Sequence, residues 1–255
     1  MTGESYAAFA YAYDKALGTR FFRAVRRVLD DVLENHPTPK RTHLDIACGT
    51  AHAVEYFRAQ GWRSTGVDAS LPMLQVARAR MQSAPSRAMR LVAGDIRALP
   101  LRSTFARITC LYDSLNHMLD RDDLVATFRS VRGVMSDDSL FLFDMNHPDV
   151  YPEVWGYREP YIAAGDDYRL QIDTSYRSRE RLARGVVSGW AKLPNGERVE
   201  IRETHRQRAY REKEILDALG EAGLEAVEIR DFDPFGDADD LDAAGVKLFF
   251  VCGIR

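Results

Sequence analysis

The chain is poor in several features that would fix its class at once, and each shortage excludes something. It has three cysteines, Cys48, Cys110 and Cys252, widely separated and without a CxxC pair. That pattern supports neither a disulfide framework nor a zinc site, and no metal is expected. Charge of one sign is also lacking. Lys and Arg number 35 against 38 Asp and Glu, a net charge of −3, without the basic footprint that nucleic-acid binding demands. No apolar run approaches the ~20 residues of a membrane span. An acid at Glu4 stands where a signal peptide carries a basic start, so a reducing cytoplasm is the expected compartment. There is no internal repeat and no low-complexity tract. What remains is 255 residues, 45% hydrophobic and 29% charged, ordinary for a soluble enzyme with one large α/β domain and room for a subdomain.

Glycine is sparse where a dinucleotide fold concentrates it. His43–Ala51 reads HLDIACGTA: an apolar run ending in Asp45, then small residues, then helix-like sequence. A strand feeding a glycine-bearing turn into a helix brings backbone N–H groups to a nucleotide. The three-glycine fingerprint of an NAD-dependent oxidoreductase is absent. GVDAS (Gly66–Ser70) and AGDI (Ala93–Ile96) follow, each an acid at the end of a short apolar run. Asp68 lies 19 residues after Gly49, about the interval from such a turn to a ribose-binding acid.

Taken in order, Phe22, Val25, Leu29 and Val32 recur at helical spacing, after an alanine- and tyrosine-rich stretch that ends in a break at Gly18-Thr19. Strands are expected at His43–Ala47, Trp62–Val67, Arg90–Ala93, Arg107–Tyr112 and Leu140–Phe143, alternating with helices. That alternation implies right-handed crossovers and a mostly parallel sheet with helices on both faces. After His147 the period changes to two. Tyr168–Arg177, Leu182–Leu193 and Arg198–Arg208 read as strands, the last two joined by Pro194-Asn195-Gly196, a strong hairpin signal. A three-stranded antiparallel insert is therefore expected before a late helix, Glu212–Ala222, and two closing strands. The expected organisation is residues 1–147 for N-terminal helices and nucleotide core, 148–210 for the insert, and 211–255 for the rest of the core.

With these pieces in place, the chain resembles the class I S-adenosylmethionine-dependent methyltransferases. LDIACGT resembles their first motif, GVDAS with LPMLQVARAR their second, and AGDIRALPL their third. The likeness runs from about residue 42 to 147 and implies a Rossmann-like seven-stranded sheet. The insert resembles that of a small-molecule subgroup that includes amino-sugar N-methyltransferases, where such strands wall the acceptor pocket. ITCLYDSLNHML (Ile108–Leu119) also resembles a segment of family members.

The resemblance implies S-adenosyl-L-methionine as cofactor, with Asp45 and the Ala47, Cys48 and Gly49 turn along its methionine part. It places Asp68, beside Ala69, on the ribose hydroxyls, Asp95 on the adenine amino group and Ile96 against the ring. Leu111 would sit by the transferring group, and Tyr13 would close over the cofactor. Two positions depart from the family pattern: Ala47 replaces the usual first glycine and Ala51 the third.

Among catalytic candidates, His117 follows the fourth strand, near the carboxyl ends where open α/β sheets bind ligands. It suits a general base or a helix cap. Asn116, Asn146, His147 and His205 are candidates for the acceptor side, His147 equally for a turn before Pro148. Asp144 either binds acceptor or caps a turn. Tyr168, Tyr176 and Trp190 form either an aromatic wall or plain sheet packing. The expected function is methyl transfer to a nitrogen or oxygen of a small molecule, by a monomer or homodimer. The alternatives are a non-enzymatic binding protein on the same fold and, less favoured, an RNA or protein methyltransferase.

Overall fold

The computed structural model describes residues 9–81, 89–156, 159–233 and 246–255. Helix α1 (Phe9–Tyr13) runs through a π-helical turn at Asp14–Gly18 into α2 (Thr19–Asn35). The break expected at Gly18 is absent. A Cβ at Gly18 would lie 3.0 Å from His52 Nε2, so glycine there serves close packing and not chain reversal. Val25, Val28, Leu29 and Val32 bury the inner stripe of α2, as its helical spacing requires.

The core then alternates: β1 (Thr42–Ile46), α3 (His52–Ala59), β2 (Arg63–Asp68), α4 (Leu71–Met81), β3 (Met89–Ala93), β4 (Arg107–Cys110), α5 (Arg121–Arg132) and β5 (Leu140–Asn146). The antiparallel insert follows, as β6 (Tyr161–Gly165), β7 (Tyr168–Arg177), β8 (Leu182–Lys192) and β9 (Arg198–Arg208). Helix α6 (Glu212–Glu221), β10 (Leu224–Phe232) and β11 (Lys247–Ile254) close the chain.

The seven core strands lie in the order β10-β11-β5-β4-β1-β2-β3, with β11 antiparallel to both of its neighbours. Strand order reverses between β1 and β4, so a crevice opens above their carboxyl ends. One face of the sheet packs Phe141, Phe143 and Phe250 against α5, through its Phe128, and α6, and the other packs α2 and α3 through Val28, Leu29 and Phe57.

The insert is a four-stranded sheet, β6-β7-β8-β9, and not the three-stranded one expected. Strand β6 escaped notice because it buries no face: Tyr161 and Ile162 are 42% and 54% exposed. The Asn-Gly hairpin forms as expected, with Gly196 at φ +88. The insert does not stand apart from the core. Phe9 and Ala12 of α1 pack onto Leu170, Val187 and Ile201 of its inner face. Among the described residues no helix is long and apolar enough to cross a membrane.

Candidate active site

The turn after β1 is built from strain. Ala47, Gly49 and Ala51 adopt left-handed backbone, at φ 53, 53 and 66. Alanine there costs roughly 1–2 kcal/mol per residue. The turn is held by Asp68 at the end of β2, which accepts the Gly49 N–H and the Ser70 N–H, both at 2.7 Å. Burial raises the Asp68 carboxyl against those bonds. Ala51 does not narrow the opening. It is 1% exposed and packs with Val54, Leu74 and Met81 between α3 and α4.

A buried polar chain orients Asp45. The Thr109 hydroxyl donates to Asp45 Oδ1 at 2.5 Å and sits 2.9 Å from His43 Nε2, while His43 Nδ1 lies 2.7 Å from Ser64 Oγ. With Thr109 donating to the acid, His43 carries its proton on Nε2 and accepts from Ser64 on Nδ1. Burial pushes the Asp45 carboxyl up to about 7, opposed by the Thr109 bond and aided by the charge of Asp68.

Above these residues lies an inner cavity of about 750 Å³, counting its open mouth, lined by Tyr13, Asp45, Ala47, Cys48, Gly49, Asp68, Ala69, Leu111, Tyr112 and His117, among others. Its cover comes from the N-terminal helix, latched by Asp14. Asp14 Oδ1 accepts from His52 Nε2 at 2.8 Å and from Arg80 Nη1 at 3.0 Å, and Arg80 also reaches Glu55 at 2.7 Å. Burial works against the Asp14 carboxylate, but His52 and Arg80 outweigh it and hold it below its ordinary value.

A second, outer cavity of about 1360 Å³, counting its open mouth, lies between the core, the N-terminal helices and the insert. Phe9, Phe21, Val154, Trp155, Tyr161 and Ile172 give it apolar walls; Asp113, Asn146, His205, Gln207 and Lys247 bring polar groups into it. Tyr13, Tyr112 and His117 line both cavities. His117 sits in a one-turn helix, Ser114–His117. Burial, with the field of His205, depresses it to about 3 despite a hydrogen bond to the Arg206 backbone, so it is a neutral imidazole at physiological pH. Its Nε2 lies 3.4 Å from Gln207 Nε2.

Several candidates stand elsewhere. Asn116 is fully buried and lines neither cavity: it donates to the Arg208 carbonyl at 2.9 Å and accepts the Asn146 N–H at 3.0 Å, joining β5 to β9. His147 also lies outside both linings, accepting the Asp149 N–H at 3.3 Å in the turn after β5. Asp95 and Ile96 are at the end of β3 beyond the inner lining, and Arg97 holds the Asp95 carboxylate through Nε and Nη2. Tyr176 stacks on Tyr151 and Trp190 lies beneath Arg198, so these aromatics, like Tyr168, pack the sheet and form no wall.

Sequence reasoning missed Tyr112, Asp113, Gln207 and Lys247. Asp144 proves to be a turn cap: its two oxygens accept the Tyr112 and Asp113 N–H groups at 2.6 and 3.0 Å. Both residues are left-handed, at φ 63 and 50. No glycine marks this turn, so nothing local signalled it.

Fold and cavities define an α/β protein with one cavity over the carboxyl ends of β1, β2 and β4 and a second beside it. Residues 44–138 match the sequence family described as Methyltransferase domain. A protein of Geobacillus sp. (strain WCH70), provisionally named a methyltransferase, is 26% identical over 227 residues, 88% of this chain and 91% of that one. The dTDP-3-amino-3,6-dideoxy-alpha-D-glucopyranose N,N-dimethyltransferase of Streptomyces fradiae is 26% identical over 134 residues, 52% of this chain and 49% of its own length. Among solved structures, an S-adenosylmethionine-dependent methyltransferase from Clostridium acetobutylicum ATCC 824 has a TM-score of 0.78 at 23% identity, over 96% of this chain and 97% of that chain. Residues 44–138 thus carry a methyltransferase domain, and the chain has the fold of S-adenosylmethionine-dependent methyltransferases.

The inner cavity fits that cofactor. Two carboxylates, Asp45 and Asp68, face it, matching a ligand with an ammonium, a sulfonium and a diol. The Tyr112 hydroxyl is buried against it without a hydrogen-bond partner among the described residues, a polar group of the kind a ligand satisfies. Among the described residues, no group of three or more His, Cys, Asp or Glu is placed to hold a metal ion.

Proposed function

We propose that the protein transfers a methyl group from S-adenosylmethionine in the inner cavity to a nitrogen or oxygen of a small molecule in the outer one. The observation that carries this reading is the shared wall: Tyr13, Tyr112 and His117 line both cavities, so two ligands meet there. Asp45 and the Ala47–Gly49 turn take the methionine end, Asp68 the ribose hydroxyls, and the adenine end runs towards Asp95 and Ile96. The cofactor supplies an electrophilic methyl on a sulfonium. The acceptor's lone pair forms the new bond to carbon, the carbon–sulfur pair stays on sulfur, and the acceptor then sheds a proton.

Because charge disperses in such a displacement, the chain's contribution is chiefly to hold nucleophile and methyl in line, an effect worth several kcal/mol. The walls of Tyr13, Leu111 and Tyr112 do this, and the insert with α1 keeps bulk water out. His117, neutral with Nε2 towards Gln207, is placed to take the departing proton. His205 and Asn146 border the acceptor. We further infer that the partner is a small molecule and not a nucleic acid, given the net charge of −3 and an apolar, walled cavity, and that the enzyme works in the cytoplasm as a monomer or homodimer.

Titration calorimetry with S-adenosylhomocysteine tests the cofactor side. Wild type binds in the micromolar range, and Asp68→Ala weakens binding by about 1.5–3 kcal/mol, as expected for a charged hydrogen-bonding group. Absence of binding to wild type, or equal affinity in both, overturns the assignment.

A further inference from the structure

At the floor of the outer cavity lies a buried ionic cluster that the methyl-transfer scheme leaves unused. Lys247 Nζ on β11 contacts Asp113 Oδ1 and, at 2.8 Å, Asp144 Oδ2. Burial opposes the Lys247 ammonium, but the two acids outweigh it and raise its pKa. Two carboxylates against one ammonium leave one negative charge, in surroundings where the Lys247 side chain is 7% exposed and that of Asp144 only 2%.

The cluster opens through Asp113, whose side chain is 21% exposed. Asp144 has its oxygens occupied by Lys247 and by the Tyr112 and Asp113 N–H groups. Asp113 is the one carboxylate among the described residues lining this cavity. The other ionisable groups facing it do not cancel its charge. His117 is neutral and the single ammonium of Lys247 is shared between Asp113 and Asp144, while Arg20 is exposed to solvent, where its field is screened. Gln207 Nε2 donates to Asp113 Oδ2 and lies 3.4 Å from His117 Nε2, so one amide nitrogen sets the acid next to the imidazole on the shared wall. Phe21 and Tyr112, 5.7 Å apart between ring centroids, stand in the same lining and offer π-faces that favour a cation.

We propose that Asp113 is the specificity-determining residue of the acceptor cavity: its carboxylate holds the acceptor's protonated amine and makes the site select amines over alcohols and carboxylates. The left-handed turn that Asp144 clamps is what aims Asp113 into the cavity. The inference rests on the methyl-transfer reading and narrows its acceptor to a basic nitrogen. Held there as the ammonium, the acceptor gives up one proton to solvent at the cavity mouth before its lone pair can attack.

The test uses the full chain saturated with S-adenosylhomocysteine and ring-matched probes: cyclohexylamine, cyclohexanol and cyclohexanecarboxylate, followed by ligand-observed NMR at pH 7. Wild type ranks amine over alcohol by tenfold or more, with carboxylate last. Asp113→Asn, which keeps shape and a hydrogen-bonding oxygen, brings amine and alcohol within about twofold while leaving homocysteine-product affinity and the thermal midpoint of the saturated protein close to wild type. Asp113→Glu restores part of the ranking. Equal binding of amine and alcohol by wild type, or an unchanged ranking in Asp113→Asn, overturns the proposal. Failure of S-adenosylhomocysteine to bind wild type overturns the underlying function instead, so the two failures are distinct.

Discussion

Replacing Asp45 with asparagine should stabilise the ligand-free protein and cripple the liganded one, by amounts that depend on pH in opposite senses. Burial raises this carboxyl from 3.8 to about 7. Its folded pKa therefore exceeds its unfolded one, and the folded state binds the proton more tightly. Below pH 4 both states are protonated and the group is neutral to stability. As pH rises from 4 to 7 the unfolded chain releases the proton first, so stability falls, by roughly 4 kcal/mol at most once three pKa units are converted at about 1.4 kcal/mol each. Asparagine has no proton to lose, and it still accepts the Thr109 hydroxyl. Urea unfolding of both proteins at pH 5, 6, 7 and 8 isolates the effect as a difference, in which the contributions of buried histidines cancel. The stability advantage of Asp45→Asn should grow steadily to pH 7 and then level off.

Cofactor binding runs the other way. The ligand's ammonium pairs with the ionised acid, so wild-type affinity for S-adenosylhomocysteine should fall by about tenfold per pH unit below 7, and Asp45→Asn should bind weakly without that slope. Parallel stability curves for the two proteins across pH 5–8 would refute the reasoning, because the acid would then be ionised at no cost and the Ser64–His43–Thr109 chain would have no strained group to support.

Two further substitutions probe the turn and the imidazole. Ala47→Gly should gain up to about 1 kcal/mol in denaturant unfolding, by relieving left-handed strain partly offset by the freer unfolded chain. Ala51→Gly should be close to neutral, because it also loses a buried methyl worth about 0.8 kcal/mol; an equal gain at both sites would contradict the packing of Ala51. His117→Ala should lower single-turnover methyl transfer by on the order of a hundredfold with S-adenosylhomocysteine affinity unchanged. That loss should be flat from pH 5 to 8, since a group depressed to about 3 does not titrate there, and undiminished turnover would make His117 structural.

The nucleotide half of this molecule was legible because it is written locally. An apolar run, a small-residue turn and an acid at a strand end are features of a few contiguous residues, and Asp45, Gly49 and Asp68 arrive in one cavity because parallel strands place their carboxyl ends together. The acceptor half is written across the chain. Its Asp113–Lys247 contact spans 134 residues and its Gln207–Asp113 contact 94, and neither β9 nor β11 carries a local sign that a polar side chain points inward. Asn116 and His147 sit beside the right strand end but spend their hydrogen bonds on backbone, a choice that sequence position alone does not reveal.

The same contrast explains the two kinds of strained turn. At Ala47–Ala51 the strain is announced by Gly49 and shared among small residues, so a family pattern exists to be matched. At Tyr112-Asp113 two full-sized side chains occupy left-handed backbone, and the compensation comes from Asp144 on the next strand, through two charge-assisted N–H bonds each worth about 1.5–3 kcal/mol. That balances roughly 1–2 kcal/mol of strain per residue, and Lys247 holds the same carboxylate from below at 2.8 Å. The turn that aims Asp113 into the cavity and the ion pair beneath it are therefore one device. Its parts lie on β4, β5 and β11, neighbours in the sheet but far apart in the chain, and this is why it takes the fold to see it.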